Sequence, residues 1–196
     1  MTYDALNAMT TSGNRYLLMR HGHSQANERG LIISDPRQGL SDYGLSRSGE
    51  DQLARLIDGW HWPRPSRIYH SDFLRTTQTA ARVGGRFGIA LQPEPRLRER
   101  HFGVFEADPV SRYEEIWALD ARDPGHDQHG VEPVVAVAER MNAVIESLEA
   151  SLDGETILLV SHGDPLQILL TALEGRPLSC HRDRPPLAPA SVTLLA

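Results

Sequence analysis

Apolar residues follow two kinds of pattern along this chain. Tyr16–Met19 in "RYLLMRH" and Ile157–Val160 in "ETILLVSHG" are unbroken runs too short for helices, and they predict strands buried on both faces. "SRIYHS" (Ser66–Ser71) predicts a shorter strand and "PASVTLLA" a last one. In "SRSGEDQLARLIDGW", Leu53, Leu56 and Ile57 share a helical face, with Ser46 or Ser48 as the cap. "DFLRTTQTAARVGGRF" predicts a helix with Asp72 at its cap or first turn, and "VVAVAERMNAVIESLEASL" the clearest helix of all. "DPLQILLTALEG" predicts another, with Pro165 in its first turn and Asp164 as N-cap. "IISDPRQGLSDYG" reads as a loop, and the segment from Leu97 to about Val131 is irregular, with one helix in "SRYEEIWALDAR". Alternating strands and helices predict an α/β fold, a three-layer sandwich with a mostly parallel or mixed central sheet flanked by helices. No linker interrupts residues 15–196, so they form a single domain, preceded by residues 1–14 as a disordered lead-in.

The bulk numbers narrow the partners. The 196 residues carry a net charge of −6, which argues against nucleic acid or an anionic membrane as partner. An anionic ligand must then be held by local positive groups. No apolar run approaches the ~20 residues that span a bilayer, and "MTYDALNAMTTSGN" lacks the basic and apolar regions of a signal peptide. With Cys180 as the one cysteine, there is no disulfide framework or four-Cys zinc site, and a cytoplasmic location is expected.

Both strong strands end in the same way. His21-Gly22 and His162-Gly163 follow directly, and in open α/β sheets ligands gather at the carboxyl ends of strands. Around the first pair, "LLMRHGHSQAN" adds Arg20, His23, Ser24 and Asn27. This cluster is compatible with a phosphate site or with a metal site built on His21 and His23.

Taken together, these motifs resemble those of the histidine phosphatase superfamily, which includes the cofactor-dependent phosphoglycerate mutases. Arg20-His21-Gly22 matches the family's signature after the first strand, and Ser24 and Asn27 match the positions that follow it. "GLSRSGEDQL" is similar to the next motif, and "YHSDFLRTTQTA" makes Arg75 the family's second arginine. "LRERHFGVFEA" places Glu99 at the general-acid position, and "VSHG" supplies His162. The resemblance implies a phosphoglycerate mutase-like fold and a phosphohistidine mechanism without cofactor or metal, acting on a small phosphorylated substrate. His21, Glu99 and His162 are then catalytic, and Arg20, Ser24, Asn27, Arg75 and Gly163 hold phosphate. Monomers, dimers and tetramers all occur in the family, and a homodimer is the assembly carried forward.

The chemistry asks for the same residue types. A phosphate monoester brings about two negative charges, which the planar forks of Arg20 and Arg75 suit. Neutral His21 can attack phosphorus, and a protonated His162 can stabilise the equatorial oxygens. Glu99 can protonate the leaving oxygen if burial keeps it protonated near pH 6–7. Backbone N–H groups around Gly22 and Asn27 are candidate further donors. Asp164 is an alternative acid, because a related branch carries its acid beside the second histidine; Glu106 is a third candidate that more plausibly shapes the pocket.

Several positions depart from the family pattern. His23 stands where Glu or Gln is usual, Ala107 where many members have Gly, and Val131-Glu132 where Glu-Ser or Glu-Thr is usual. His101, His126, His129 and His181 read as exposed loop residues, and Met9, Met19 and Met141 as lead-in or core. A mutase is the main alternative, although family mutases carry a longer middle insertion and a C-terminal tail, whereas this chain ends on its last strand. A metallohydrolase would need a third ligand, for which His126 or His129 is the candidate. A binding module without catalysis would lack one of the five key positions, and none is missing.

Overall fold

The computed structural model describes residues 13–195; the lead-in reading of residues 1–12, Met9 included, falls outside them. In chain order the elements are β1 (Arg15–Arg20), α1 (Gln25–Arg29), α2 (Pro36–Gly39), α3 (Arg47–Asp58), β2 (Arg67–His70) and α4 (Leu74–Phe87). They continue with β3 (Leu91–Pro93), α5 (Tyr113–Asp120), α6 (Val134–Glu149), β4 (Thr156–Ser161), α7 (Gly163–Leu173) and β5 (Val192–Leu195). The strands form one mixed sheet in the order β3-β2-β4-β1-β5, parallel throughout except for β5, which runs antiparallel to β1. Among the described residues no helix is long and apolar enough to cross a membrane.

The unbroken apolar runs are divided between the two faces of the sheet, because successive strand side chains point opposite ways. Tyr16, Leu18, Ile157 and Leu159 pack with Val137 and Met141 of α6 and Leu166 and Leu169 of α7. Leu17, Met19, Leu158 and Val160 pack on the other side with Leu53 of α3 and Ala80 and Val83 of α4. This is the expected α/β sandwich. A smaller cluster of Ile32, Phe102, Phe105, Ile116 and Val131 supports the irregular middle segment.

Register then sets where the strands end. Arg20 lies opposite Ser161, and His70 opposite Val160. The residues that follow these ends, His21, His162 and Ser71, therefore emerge side by side.

Several local expectations are corrected. Asn14 is buried, not part of a lead-in: its amide donates to Glu149 Oε1 (3.0 Å) and to the Leu152 carbonyl (2.9 Å), and its Oδ1 accepts from Glu155 N (2.9 Å). Asp72 does not cap α4, which has no side-chain cap, because both its oxygens are taken by Arg98 at 2.7 and 2.6 Å. Asp164 lies inside the first turn of α7, whose cap position is His162. Of the two serines, Ser46 caps α3. The segment read wholly as loop contains α2, capped by Asp35 ahead of Pro36. Its Ser34, Asp35 and Pro36 line a cavity together with Glu99.

Candidate active site

Arg20, His21 and His162 come from strand ends or the residue just beyond, Arg75 from the first turn of α4, and Glu99 from an irregular stretch after β3. His21 follows β1 and is buried, with its Nδ1 2.8 Å from the Gly22 carbonyl oxygen. A carbonyl only accepts, so Nδ1 carries the hydrogen and the ring lone pair sits on Nε2, where it accepts from Arg75 Nε. His162 follows β4, fully buried, with its Nε2 2.9 Å from Ser71 Oγ beyond β2. The two rings lie edge to face with centroids 5.2 Å apart.

Arg75, in the first turn of α4, joins them. Its Nε sits 3.2 Å from both His21 Nε2 and His162 Nδ1, and its Nη2 donates to the Ile33 carbonyl at 2.9 Å. Arg20, at the end of β1, donates through Nη1 to the Leu187 carbonyl. Gly163 clears space for it, since a Cβ there would stand 3.3 Å from the Arg20 guanidinium. Two N–H groups of this pair, Arg20 Nε and Arg75 Nη1, are buried with no partner among the described residues. Leaving such a donor unpaired costs about 1–3 kcal/mol, so both are poised for an acceptor that enters the site.

Burial dominates the electrostatics. It pushes His21 and His162 well below the ordinary histidine range, and the Arg75 charge adds to the effect in both. His162 is thus held neutral by its surroundings; the protonated form expected from the sequence needs an anion beside it. Glu99 moves the other way: burial, helped by the Asp164 charge, raises it from 4.5 to about 7 against the pull of Arg75. Its Oε2 lies 3.9 Å from Arg75 Nη2 and 3.8 Å from His162 Nδ1, while Oε1 accepts from Arg100 N at 3.0 Å.

Beyond Glu99, Arg20 and Gly163 opens a cavity of about 300 Å³. Its other walls include Tyr113, Trp117, Gln167 and Arg182. The Arg182 guanidinium carbon lies over the Trp117 ring, 3.7 Å from its centroid, and Nη1 is paired with Asp164 at 3.2 Å.

Comparison with known proteins places the chain in a family. The family model for the histidine phosphatase superfamily, branch 1, matches residues 16–196. The chain belongs to that superfamily. Among histidine phosphatase relatives, a protein of Photorhabdus laumondii subsp. laumondii described as a "probable phosphoglycerate mutase" is 34% identical over 171 residues, covering 84% of this chain and 77% of the relative. A mycobacterial glucosyl-3-phosphoglycerate phosphatase, solved with VO3, superposes with a TM-score of 0.79 at 27% identity, covering 93% of this chain and 92% of that one.

Within this histidine phosphatase fold, His21, Glu99, His162 and Arg75 come together, with Arg20 at the cavity beside Glu99. Ser24 and Asn27 form a capping box that closes the start of α1, with Ser24 N donating to Asn27 Oδ1 at 3.0 Å and Asn27 N to Ser24 Oγ at 3.2 Å. The backbone donors expected near Gly22 and Asn27 are thus used internally, since Gly22 N also donates to Thr79 Oγ1 at 3.0 Å. The His23 ring is tied to the cap of α3, with its Nδ1 2.8 Å from Ser46 Oγ. A Cβ on Gly49 would come within 2.0 Å of the His23 carbonyl, which explains that glycine.

Asp164 is poorly suited to act as the acid, being paired with Arg100 (3.3 Å) and Arg182 (3.2 Å). Burial alone would raise it, yet His181 and the charges of Arg100 and Arg182 hold it below the usual carboxylate range. Glu106 holds Ser34, a wall of the cavity at Glu99, with Oε2 accepting from Ser34 N (2.8 Å) and Ser34 Oγ (2.7 Å). Ala107, in the turn where many members have Gly, adopts a left-handed φ of 64°.

The sequence reading missed a buried polar network. His126 and His181 are buried, not exposed, whereas His101 and His129 are exposed as expected. Arg100 makes a two-pronged pair with Asp120 at 2.7 Å for each bond, and His126 Nε2 joins Asp120 at 2.8 Å. Ser71 was missed as well; its signal was its place between a strand and Arg75.

Proposed function

We propose that this chain is a metal-independent phosphomonoesterase that acts on a small phosphorylated substrate through a phosphohistidine on His21. The observation that carries this reading is the cluster of His21 Nε2, two unpartnered buried arginine N–H groups and Glu99, whose burial raises it to about 7. Arg20 and Arg75 grip the phosphoryl oxygens, and the dianion favours a protonated His162 beside them. In the first step the His21 Nε2–P bond forms as the bond from phosphorus to the leaving oxygen breaks, and Glu99 gives its proton to that oxygen. In the second step the Glu99 carboxylate takes a proton from water, whose oxygen attacks phosphorus. The electron pair of the N–P bond returns to Nε2, inorganic phosphate departs, and Glu99 is again protonated.

The 300 Å³ cavity beside Glu99 receives the leaving alcohol. Among the described residues no three His, Cys, Asp or Glu side chains form a group able to hold a metal ion. His21 and His23 are also bound to different partners. The phosphatase relative supports hydrolysis, whereas the relative described as a mutase supports return of the phosphoryl group to a rearranged acceptor. The test is phosphate release from an aryl phosphate in excess EDTA, wild type beside His21→Ala. Turnover that resists chelation and vanishes in the variant is expected; activity lost to EDTA would defeat the proposal. Rapid isomerisation of 3-phosphoglycerate primed with the bisphosphate would favour the mutase instead.

A further inference from the structure

Glu99 lies in a stretch of chain that has no helix or strand to fix it. A 3-10 turn ends at Leu97, and Arg98 to His101 have no regular secondary structure. A general acid needs to be held within a fraction of an ångström, so side chains must supply the rigidity.

One side chain does most of this. Arg140 projects from α6, a helix anchored in the core by Val137, Met141 and Val144. Its Nη1 donates to the carbonyls of Arg96 (2.6 Å) and Arg98 (2.9 Å), and its Nη2 donates to the Glu99 carbonyl (3.3 Å). Nε and Nη2 also donate to Glu132 Oε1 (2.8 Å) and Oε2 (3.0 Å). A guanidinium has five N–H groups, and these five contacts use them all. Glu132 braces the same stretch from its other end, since Oε2 accepts from His101 N (3.2 Å) and its carbonyl accepts from Arg100 Nε (2.7 Å). The Leu97 carbonyl, left out by Arg140, is taken by Ser161 Oγ at 2.7 Å. Four successive carbonyls, from Arg96 to Glu99, are thus bound by side chains rooted in α6 and β4.

We infer that Arg140, with Glu132, is the positioning residue for Glu99: it fixes the acid's backbone to α6 and has no donor left for the substrate. This rests on the reading of Glu99 as general acid. Loss of the clamp therefore impairs proton delivery to the leaving oxygen, and leaves the grip of Arg20 and Arg75 on phosphate intact. Lys at position 140 keeps the charge but cannot reach three carbonyls and a carboxylate at once.

The experiment compares kcat/KM for 4-nitrophenyl phosphate, whose leaving group departs as a stable anion, with that for glycerol phosphate, whose alcohol must be protonated. The variants are R140K, E132Q and E99Q, with inhibition by inorganic phosphate measured for each. R140K and E132Q are expected to lose about tenfold or more on the alkyl ester and less than about twofold on the aryl ester, with phosphate inhibition unchanged. E99Q should show the same preference in larger measure, about 100-fold on the alkyl ester. Equal losses on the two esters in R140K, or full activity on both, would overturn the assignment. Loss of phosphate inhibition in R140K would also overturn it, by making Arg140 a support for the whole site. An E99Q that fell equally on both esters would instead defeat the reading of Glu99, a result independent of how R140K behaves.

Discussion

Replacing Glu99 by Gln should stabilise the folded protein, and should do so more at pH 8 than at pH 5. Burial raises the carboxyl from 4.5 to about 7 in the folded state. That gap corresponds to roughly 3 kcal/mol of ionisation free energy. Between those two pH values the folded protein keeps a proton that the unfolded chain has released, so stability falls as pH rises through this window. Gln approximates the protonated acid, with no charge and with an oxygen still able to accept from Arg100 N. The gain from E99Q is then about 1 kcal/mol at pH 5 and about 3 kcal/mol at pH 8. For a domain of this size each kcal/mol moves Tm by about 2–4 °C, which puts the expected rise at pH 8 at roughly 6–12 °C. His21 and His162 act in the opposite sense: held below their unfolded values, they stabilise at higher pH and lose that contribution as pH falls. Both proteins carry them, so to first order they drop out of the difference. Thermal melts of the two proteins at pH 5 and pH 8 provide the assay. An equal Tm difference at both pH values, or a less stable variant at pH 8, would refute the reasoning and mean that Arg75 already neutralises an ionised Glu99.

Two further expectations concern stability alone. Ala107 holds a φ of 64°, which costs an L-residue about 1–2 kcal/mol, while Gly costs about 0.5–1 kcal/mol in chain entropy. Ala107→Gly should therefore raise the urea midpoint by the equivalent of about 0.5–1 kcal/mol, and a lower midpoint would contradict this. Asp120→Asn leaves the Arg100 guanidinium, fully buried, without its two-pronged partner. A loss of about 3–5 kcal/mol is expected in denaturant melts, and an unchanged midpoint would show that Asp164 suffices as the counter-charge.

The sheet and the two strand-end histidines were legible in the sequence because they rest on short-range patterns. Unbroken apolar runs ending in His-Gly identify β1, β4 and the two histidines; Glu99 was placed by motif resemblance, and its shift depended on burial that only the tertiary structure supplies. What escaped was set by tertiary contact. His126 and His181 sit among Gly, Asp and Arg residues that read as solvated loop, yet Arg100 and Asp120 draw them inside. Asp72 has the composition of a cap, but Arg98, distant in sequence, competes for it more strongly than the helix end does. No local signal linked Arg140 to the Glu99 stretch, because their contact spans more than forty residues. His23 looked like part of the site by proximity in sequence alone; its ring serves the cap of α3.

The most direct test of the central claim is to find where the phosphoryl group goes. Rapid mixing of the protein with excess aryl phosphate, an alkaline denaturing quench and peptide mass spectrometry would locate it. The expected result is one phosphoryl group per chain, on the peptide bearing His21, absent from His21→Ala and most abundant when Glu99→Gln slows its hydrolysis. Steady turnover with no phosphorylated peptide, or a phosphoryl group on any residue other than His21, would contradict the account.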